Sequence, residues 1–410
     1  MAVLQFQLSL LPAATLYFMW VWGLVDYYFD KYYSSKYKPA IRGPLTRTSK
    51  SVSVVVRTLQ PPLIFKECLL AWMQNKPLEI IISTTMEHIA AVNAIVKEAI
   101  KEMKGVHPRV LTIVSAEGAR KQLLAGVLEA EGEIIATSDN HILWGPQYLD
   151  HMLPCFDDPR VGAAGPQITV NIPKERQHPD KITKWEVAGT RLIDRASCNV
   201  MMLVAAQWVW ILPGTTCMIR SHLLKNDEFT EGYLNDTWNG VLLDVGEDTW
   251  VSRYILRRGY IITMQKCQET NVARTIKKTA AYVQQVLRWE RSTIQSYFRT
   301  VTEVPQMYKH FLIVFKTWER LLKTPIILIH LFAWFFSLYY SPLTTFCFLS
   351  YYAYYKYKDV SSFLDKYRYM RKYWWVVVVQ DFSGLYFNLK AMLTLSDASW
   401  ERGEGGRKVL

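Results

Sequence analysis

Between residues 51 and 270, short runs of β-branched residues alternate with longer stretches of helical periodicity. The short runs predict strands, at residues 53–57, 79–84, 110–115 and 133–138. The longer stretches predict the helices between them, at residues 65–75, 87–103 and 119–130. Such alternation is typical of a parallel sheet with crossover helices, so we predict a Rossmann-like α/β domain.

Apolar, aromatic-rich segments lie on both sides of this domain. A transmembrane helix needs roughly 17 to 25 residues, and three segments approach that length, at residues 9–25, 325–340 and 342–355. Basic residues follow the first and third segments, which predicts an external amino terminus and a cytosolic central domain. These features predict a multi-pass membrane protein.

Other segments indicate helices that lie on a membrane surface. Residues 373–395 are apolar but contain four polar or charged residues, which favours the interface over a crossing. Residues 181–196 and 279–301 are amphipathic, as surface-bound helices are. For residues 181–196, an ordinary surface helix is an equal alternative.

The composition narrows the class of partner. The chain has 410 residues, half of them hydrophobic, and 48 basic against 36 acidic residues give a net charge of +12. The basic residues cluster beside the apolar runs and form no zinc-finger or RNA-binding signature, so we expect a lipid bilayer and no nucleic acid. The six cysteines include no C-x-x-C pair, which suggests neither a disulfide scaffold nor a zinc site, and a reduced, cytosolic setting.

The sequence Asp139-Asn140-His141 directly follows the fourth predicted strand. The carboxyl ends of parallel strands open into the ligand crevice of an α/β domain. A carboxylate and an imidazole two residues apart can hold a divalent metal against a diphosphate there. Loop capping is the simpler alternative.

Two further motifs lie on predicted helices. Glu247 and Asp248 begin an amphipathic helix, where they serve as catalytic carboxylates or only favour the helix dipole. Gln285, Arg288 and Trp289 share one helix face, where a guanidinium beside an indole suits a pyrophosphate and a sugar ring. A surface helix could also produce this second pattern.

These three motifs, with hydrophobic segments on both sides, resemble the membrane-embedded family 2 glycosyltransferases, which include hyaluronan, cellulose and chitin synthases. The chain is more similar to the fungal type 2 glycosyltransferases of the capsule-synthase kind. The resemblance extends from Val52 to Arg402 through the patterns D-x-[DH], [ED]-D and Q-x-x-R-W. It implies a GT-A fold and an inverting reaction that uses a UDP-sugar and Mn²⁺ or Mg²⁺.

The resemblance also implies roles for individual residues. Asp248 is the expected general base, with Glu247 beside it, and Asp139 and His141 are the expected metal ligands. The expected donor and diphosphate contacts are Thr58, Arg120, Lys121, Asp139, Arg288, Trp400 and Arg402. The expected acceptor contacts are Gly214, Cys217, Gln285 and Trp289.

The chain departs from the family pattern at three places. The usual Asp after the second strand is absent, which leaves Thr58 and Thr84 as candidates for uracil recognition. Asn140 replaces a common middle Asp and lowers the charge beside the metal. The sequence Trp400-Glu401-Arg402 breaks the spacing of the W-G-T-R tail motif.

We therefore predict a GT-A domain joined to transmembrane and interfacial helices. Its regions are an anchor with a basic flank, a catalytic domain, interfacial helices with Q-x-x-R-W and a membrane region with a tail, at residues 1–46, 47–275, 276–322 and 323–410. The expected function is processive transfer from a UDP-sugar to a growing polysaccharide at the plasma membrane, with the catalytic domain in the cytosol. The alternatives are a single transfer to a lipid acceptor and an inactive membrane scaffold.

Overall fold

The computed structural model describes residues 2–44, 46–103, 105–198, 200–309 and 311–397. These residues include a seven-stranded sheet. The strands are β1 Val52–Arg57, β2 Glu79–Thr84, β3 Arg109–Val114, β4 Ile134–Asp139, β5 Val161–Pro166, β6 Ile168–Val170, β7 Thr216–Arg220, β8 Thr237–Trp238, β9 Val241–Leu242, β10 Ile261–Gln265 and β11 Val272–Arg274. The order in the main sheet is β10-β5-β7-β4-β1-β2-β3, and the other four strands form two short ladders.

The first four strands are parallel neighbours, as the sequence predicts. Val54 and Val56 of β1 pack into a core on one face of the sheet, whereas Val55 packs into a second core on the other face. A strand that is buried on both faces needs a continuous apolar run, which explains the run of valines. The predicted Rossmann-like half is confirmed.

The described helices connect and cover this sheet. They are α1 Ala2–Lys36, α2 Phe65–Gln74, α3 Ile89–Glu102, α4 Ala119–Glu129, α5 Tyr148–Met152, α6 Lys184–Cys198, α7 Val200–Ala205, α8 Ser221–Leu224, α9 Asp227–Leu234, α10 Glu247–Arg257, α11 Ala281–Glu303, α12 Phe311–Leu321, α13 Lys323–Tyr340, α14 Pro342–Lys366, α15 Trp374–Phe382 and α16 Gly384–Leu393. The predicted crossover helices correspond to α2, α3 and α4.

The strand β7 brings a distant segment to the end of β4. It runs antiparallel between β4 and β5, so the residues just before it lie beside the carboxyl end of β4. The backbone N–H of Asp139 donates a hydrogen bond of 2.8 Å to the carbonyl of Thr215. The loop that precedes β7 is therefore fixed against the Asp139 motif.

A third core joins the carboxyl-terminal helices to the domain. Val187 of α6, Leu287 of α11, Phe363 of α14 and Val377 of α15 are buried together. Beside this core, Arg191 of α6 forms an ion pair of 2.7 Å with Asp381 of α15. Both side chains are only 2% exposed, so this pair fixes α6 against α15.

The predicted transmembrane segments lie in α1, α13 and α14, and the predicted interfacial segment lies in α15 and α16. Within the described ranges, no helix taken singly has the length and apolar content needed to cross a membrane. Residues Ile313–Leu321 and Lys323–Tyr340 meet that criterion together, but they are bent by 72°. The predicted single-helix spans are therefore not supported, and the division into four regions stays a prediction.

Arg120 holds the start of α4 to the segment before α10. Its guanidinium donates hydrogen bonds of 2.7 Å to the Tyr233 carbonyl, 2.7 Å to Asp236 and 3.1 Å to the Val245 carbonyl. The Arg120 side chain is 3% exposed. The described contacts of Arg120 are therefore framework contacts, and its expected contact with a donor diphosphate stays a prediction.

We predict that Arg120→Met lowers the free energy of unfolding by about 3 kcal/mol, because it removes one partner from a buried ion pair. Lys121→Met is the matched control: Lys121 is the next residue and is exposed, so its replacement should change stability by less than about 0.5 kcal/mol. Chemical denaturation of both variants checks this difference. Equal stability of the two variants would contradict the framework role.

Candidate active site

Arg57 links two acidic motifs at the edge of the sheet where β1 and β4 end. The two strands are neighbours in parallel register, and Arg57 lies opposite Asp139. One Arg57 nitrogen lies 3.6 Å from a carboxylate oxygen of Asp139 and also forms a short ion pair with Glu247. The carboxylates of β4 and α10 therefore meet through one guanidinium.

The pKa values show how Arg57 divides the charge in this cluster. Burial raises the pKa of Asp139 despite the opposing charges of Arg57 and His141. Burial also opposes ionisation of Glu247, but the charge and hydrogen bond of Arg57 prevail and lower its pKa. Arg57 therefore stabilises the ionised form of Glu247.

Asp248 differs from Glu247 although it is the next residue. Burial, followed by the negative charge of Glu247, raises the pKa of Asp248 to about 6. One of its carboxylate oxygens accepts a hydrogen bond of 2.8 Å from the Thr249 N–H at the start of α10. A carboxylate that gains a proton near neutral pH is suited to general base catalysis.

Gly214 makes room for the Asp248 carboxylate. A β-carbon at position 214 would lie 2.7 Å from Oδ2 and 3.2 Å from Cγ of Asp248. The segment before β7 can therefore approach α10 closely only with glycine at this position. Gly214 and Cys217 line one narrow cavity together with Arg57, Asp139 and Asp248.

Asn140 orients the imidazole of His141. The Asn140 amide nitrogen donates a hydrogen bond of 2.8 Å to Thr58 Oγ1, and its oxygen lies 3.1 Å from His141 Nδ1. An amide oxygen only accepts, so Nδ1 carries the proton and Nε2 of the neutral ring keeps its lone pair. Burial lowers the pKa of His141, which favours this neutral form.

The pair Asp139 and His141 fits a divalent metal. A carboxylate oxygen and a neutral imidazole nitrogen are ligands that Mn²⁺ accepts. A hydrogen bond at the second ring nitrogen is the arrangement that usually orients a metal-binding histidine, and Asn140 supplies it here. Two protein ligands leave the other coordination positions for phosphate oxygens and water.

The third motif supplies cationic groups. Gln285, Arg288 and Trp289 are half-buried on α11, and the charge of Arg288 contributes to the pKa values of Glu247 and Asp248. The guanidinium of Arg274, at the end of β11, lies 4.6 Å from the Trp289 ring centroid. Its buried Nε atom has no hydrogen-bond partner among the described residues. An orphaned cationic donor in a partly enclosed site suits an anionic ligand.

The remaining predicted contacts are distributed differently. Lys121 is exposed, while Thr58 and Thr84 are almost completely buried. Cys217 is also buried, 3.2 Å from the Thr137 hydroxyl, and burial raises the pKa of its thiol to about 12. Thr58 and Cys217 therefore contribute to the site from buried positions. Trp400 and Arg402 lie outside the described residues.

The last described residues approach the Q-x-x-R-W helix. Arg291 forms a salt bridge of 2.9 Å with Asp397, and the Gln295 side chain donates a 2.7 Å hydrogen bond to the Leu395 carbonyl. Arg291 lies one helical turn beyond Arg288. The chain thus returns to α11 before residue 398, and the role of Trp400 and Arg402 stays a prediction.

The sequence motifs did not reveal Arg57 or Arg274. Both are the last residues of their strands, and both influence the electrostatics of Asp139. The position of Arg57 at the end of the first strand carries a usable signal, because β1 is the expected neighbour of β4. Arg274 has no such signal, because β11 pairs with β6 outside the main sheet.

Comparison with known proteins finds relatives among the glycosyltransferases. The chain is 27% identical over 398 residues to the NDP-glycosyltransferase ltbB of Aspergillus luteorubrus, which covers 93% of this chain and 95% of the relative. It is 25% identical over 233 residues to a type 2 glycosyltransferase of Zymoseptoria tritici, which covers 56% of this chain and 46% of the relative.

A solved structure has the same fold. The mannosyltransferase PcManGT from Pyrobaculum calidifontis, in complex with GDP-Man and Mn²⁺, superposes with a TM-score of 0.57 at 16% identity and covers 92% of this chain and 99% of that chain. The model of the glycosyltransferase-like family 2 matches residues 49–292, more than half of the chain. The chain therefore belongs to the glycosyltransferase-like family 2 and is a glycosyltransferase.

Proposed function

We propose that this enzyme transfers a sugar from a UDP-sugar to a hydroxyl group of a carbohydrate acceptor, with inversion at the anomeric carbon. The observation that carries this proposal is the separation of charge between neighbouring carboxylates. Arg57 neutralises Glu247, whereas Asp248 keeps a pKa of about 6 and lines the same cavity as Asp139. A base distinct from the diphosphate site is what a single displacement requires.

In the proposed mechanism, the oxygen of the acceptor hydroxyl attacks the anomeric carbon while Asp248 accepts the proton of that hydroxyl. The bond from that carbon to the diphosphate breaks, and the diphosphate leaves from the opposite face. Arg288 and Arg274 stabilise the negative charge that develops on the leaving group. Asp139 and His141 would hold Mn²⁺ or Mg²⁺, which supplies further charge stabilisation when bound.

The relatives support the donor class and the metal. The name of the Aspergillus relative specifies an NDP-glycosyltransferase. PcManGT was solved with GDP-Man and Mn²⁺. We retain UDP as the nucleotide from the family resemblance, and we leave the identity of the sugar to measurement.

We propose further that the enzyme works at the plasma membrane with a cytosolic catalytic domain. Phe332, Phe335 and Tyr339 of α13 are at least 62% exposed, and Phe18 of α1 is 64% exposed. Large apolar side chains at such density suit a lipid surface. We propose a polysaccharide as the product, and the size distribution of the products tests this proposal.

A single transfer to a lipid acceptor is the second candidate. It is favoured by an open groove of about 430 Å³ between α1 and α14, lined by Tyr17, Trp20, Phe348 and Tyr351. An aromatic groove of this kind can accommodate an acyl or polyprenyl chain. The inactive scaffold is not retained, because the comparisons identify a glycosyltransferase.

We predict that Asp248→Asn lowers kcat for transfer by roughly 10² or more, because it removes the proton acceptor and keeps the shape. The affinity for UDP should change little. Asp227→Asn is the matched control, since Asp227 also lies in the first turn of a helix but outside the cavity. UDP release measured with a panel of UDP-sugars checks both variants, and near-normal turnover of Asp248→Asn would remove it from this role.

The pH profile should reflect the same group. Asp248 acts as a base only when it is deprotonated, and its pKa is about 6. We therefore expect kcat/KM to fall as the pH decreases through about 6. An acidic limb near pH 4, which is the ordinary range of a carboxyl group, would contradict the assignment.

We predict that a chelator abolishes transfer and that added Mn²⁺ or Mg²⁺ restores it. His141→Ala should raise the metal concentration needed for half-maximal activity, because one of two protein ligands is lost. His178→Ala is the control, since the His178 side chain is 61% exposed. Full activity in chelator would refute the metal site.

Gly214→Ala should lower kcat by roughly 10², because the added β-carbon displaces the Asp248 carboxylate from its position. Gly43→Ala is the matched control: its β-carbon would lie at an ordinary 3.8 Å from the Asp157 carboxylate. Steady-state kinetics and thermal unfolding distinguish a local displacement from a folding defect. Unchanged kcat in Gly214→Ala would show that this close approach is not needed.

A further inference from the structure

His151, Cys267 and Glu269 form a cluster outside the active site. Their potential ligand atoms all lie within 4.8 Å of one another. His151 belongs to α5, and the other two residues lie in the loop after β10. None of the three has a role in the proposed transfer reaction, and all three are half-buried.

The surrounding backbone builds this cluster from separate segments. Gln265, which is 2% exposed, donates a hydrogen bond of 2.9 Å to the His151 carbonyl and one of 2.8 Å to the Ala40 carbonyl. The Tyr37 hydroxyl accepts a hydrogen bond of 2.7 Å from the Lys266 N–H. The loop that carries Cys267 is therefore fixed to α5 and to the segment that follows α1.

The side chains of the cluster contact one another and the neighbouring Thr270. The Cys267 sulfur lies 3.3 Å from the Thr270 hydroxyl. A backbone hydrogen bond and then one from the Cys267 thiol lower the pKa of Glu269, and the charge of His151 acts in the same direction. The carboxylate thus faces both the thiol and the imidazole.

We propose that His151, Cys267 and Glu269 bind a Zn²⁺ ion, with water as the fourth ligand. Sulfur, nitrogen and oxygen donors together are a set that zinc accepts, and three protein ligands with an open position are a known zinc arrangement. Tetrahedral zinc with these bond lengths holds its ligand atoms roughly 3.3 to 3.8 Å apart. The observed separations are at most 4.8 Å, so small side-chain rotations are sufficient to bring the three ligand atoms to these distances.

This site would brace the loop that carries the Asp139 motif. The strand β10 is parallel to β5, and β7 is antiparallel to both β5 and β4, so β10 and β4 end at the same edge of the sheet. A β-carbon at Gly145 would lie 3.2 Å from the Glu269 carbonyl, and Leu143 forms a bridge with Ala273. Zinc would connect α5 to the loop after β10, which contacts the segment after His141, and would thereby restrict that segment.

Cobalt spectroscopy tests the assignment. The full chain, kept reduced and treated to remove metals, is titrated with Co²⁺, and we expect tetrahedral visible bands and a thiolate-to-cobalt charge-transfer band at one equivalent. Cys267→Ser should abolish the charge-transfer band and weaken zinc binding by at least about 100-fold, since even outer-shell changes cost 10 to 100-fold. Cys347→Ser, which replaces an exposed cysteine on α14, is the control and should retain both.

Two further measurements separate this site from the catalytic metal. Asp139→Asn should keep the charge-transfer band, because the proposed zinc ligands are unchanged. Added Zn²⁺ should raise the unfolding temperature of the wild type but not that of Glu269→Gln or Cys267→Ser, because a metal that binds only the folded state stabilises it. A wild type without the band, or a band that persists in Cys267→Ser, would overturn the proposal.

Discussion

The active site depends on one guanidinium that lies between two acidic motifs. Arg57 pairs with Glu247 and lies 3.6 Å from Asp139, with its side chain 19% exposed. Partly desolvated carboxylates repel one another and resist ionisation unless a positive charge lies between them. Arg57 thereby allows the Asp139 motif of β4 and the carboxylates of α10 to share one cavity, where burial and the charge of Glu247 raise the pKa of Asp248.

The topology of the sheet provides this arrangement. The neighbouring ends of β1 and β4 place Arg57 beside Asp139, and the antiparallel β7 carries Gly214 to the same edge. Gly214 then admits the Asp248 carboxylate at a distance that any β-carbon would prevent. The active site thus draws on segments 190 residues apart in the chain, as the ion pair between Arg57 and Glu247 shows.

The sequence predicts the parallel half of the fold and the three motifs, because these features depend on local periodicity and short spacing. The ion pair of Arg57 and the position of Arg274 depend on tertiary contacts that no local pattern records. The same holds for Arg120, because only tertiary packing places Asp236 against its guanidinium. The apolar segments predict helices correctly, whereas their length and bends determine whether any of them spans a membrane.

The pH dependence of the Glu247→Gln variant tests the central claim that Arg57 and Glu247 leave Asp248 as the base. The negative charge of Glu247 raises the pKa of Asp248, and Arg57 lowers it. Removal of that charge should therefore lower the pKa of Asp248, so kcat/KM should persist to a lower pH than in the wild type. An acidic limb at the wild-type position would contradict the account, because the titrating base would then not be the neighbour of Glu247.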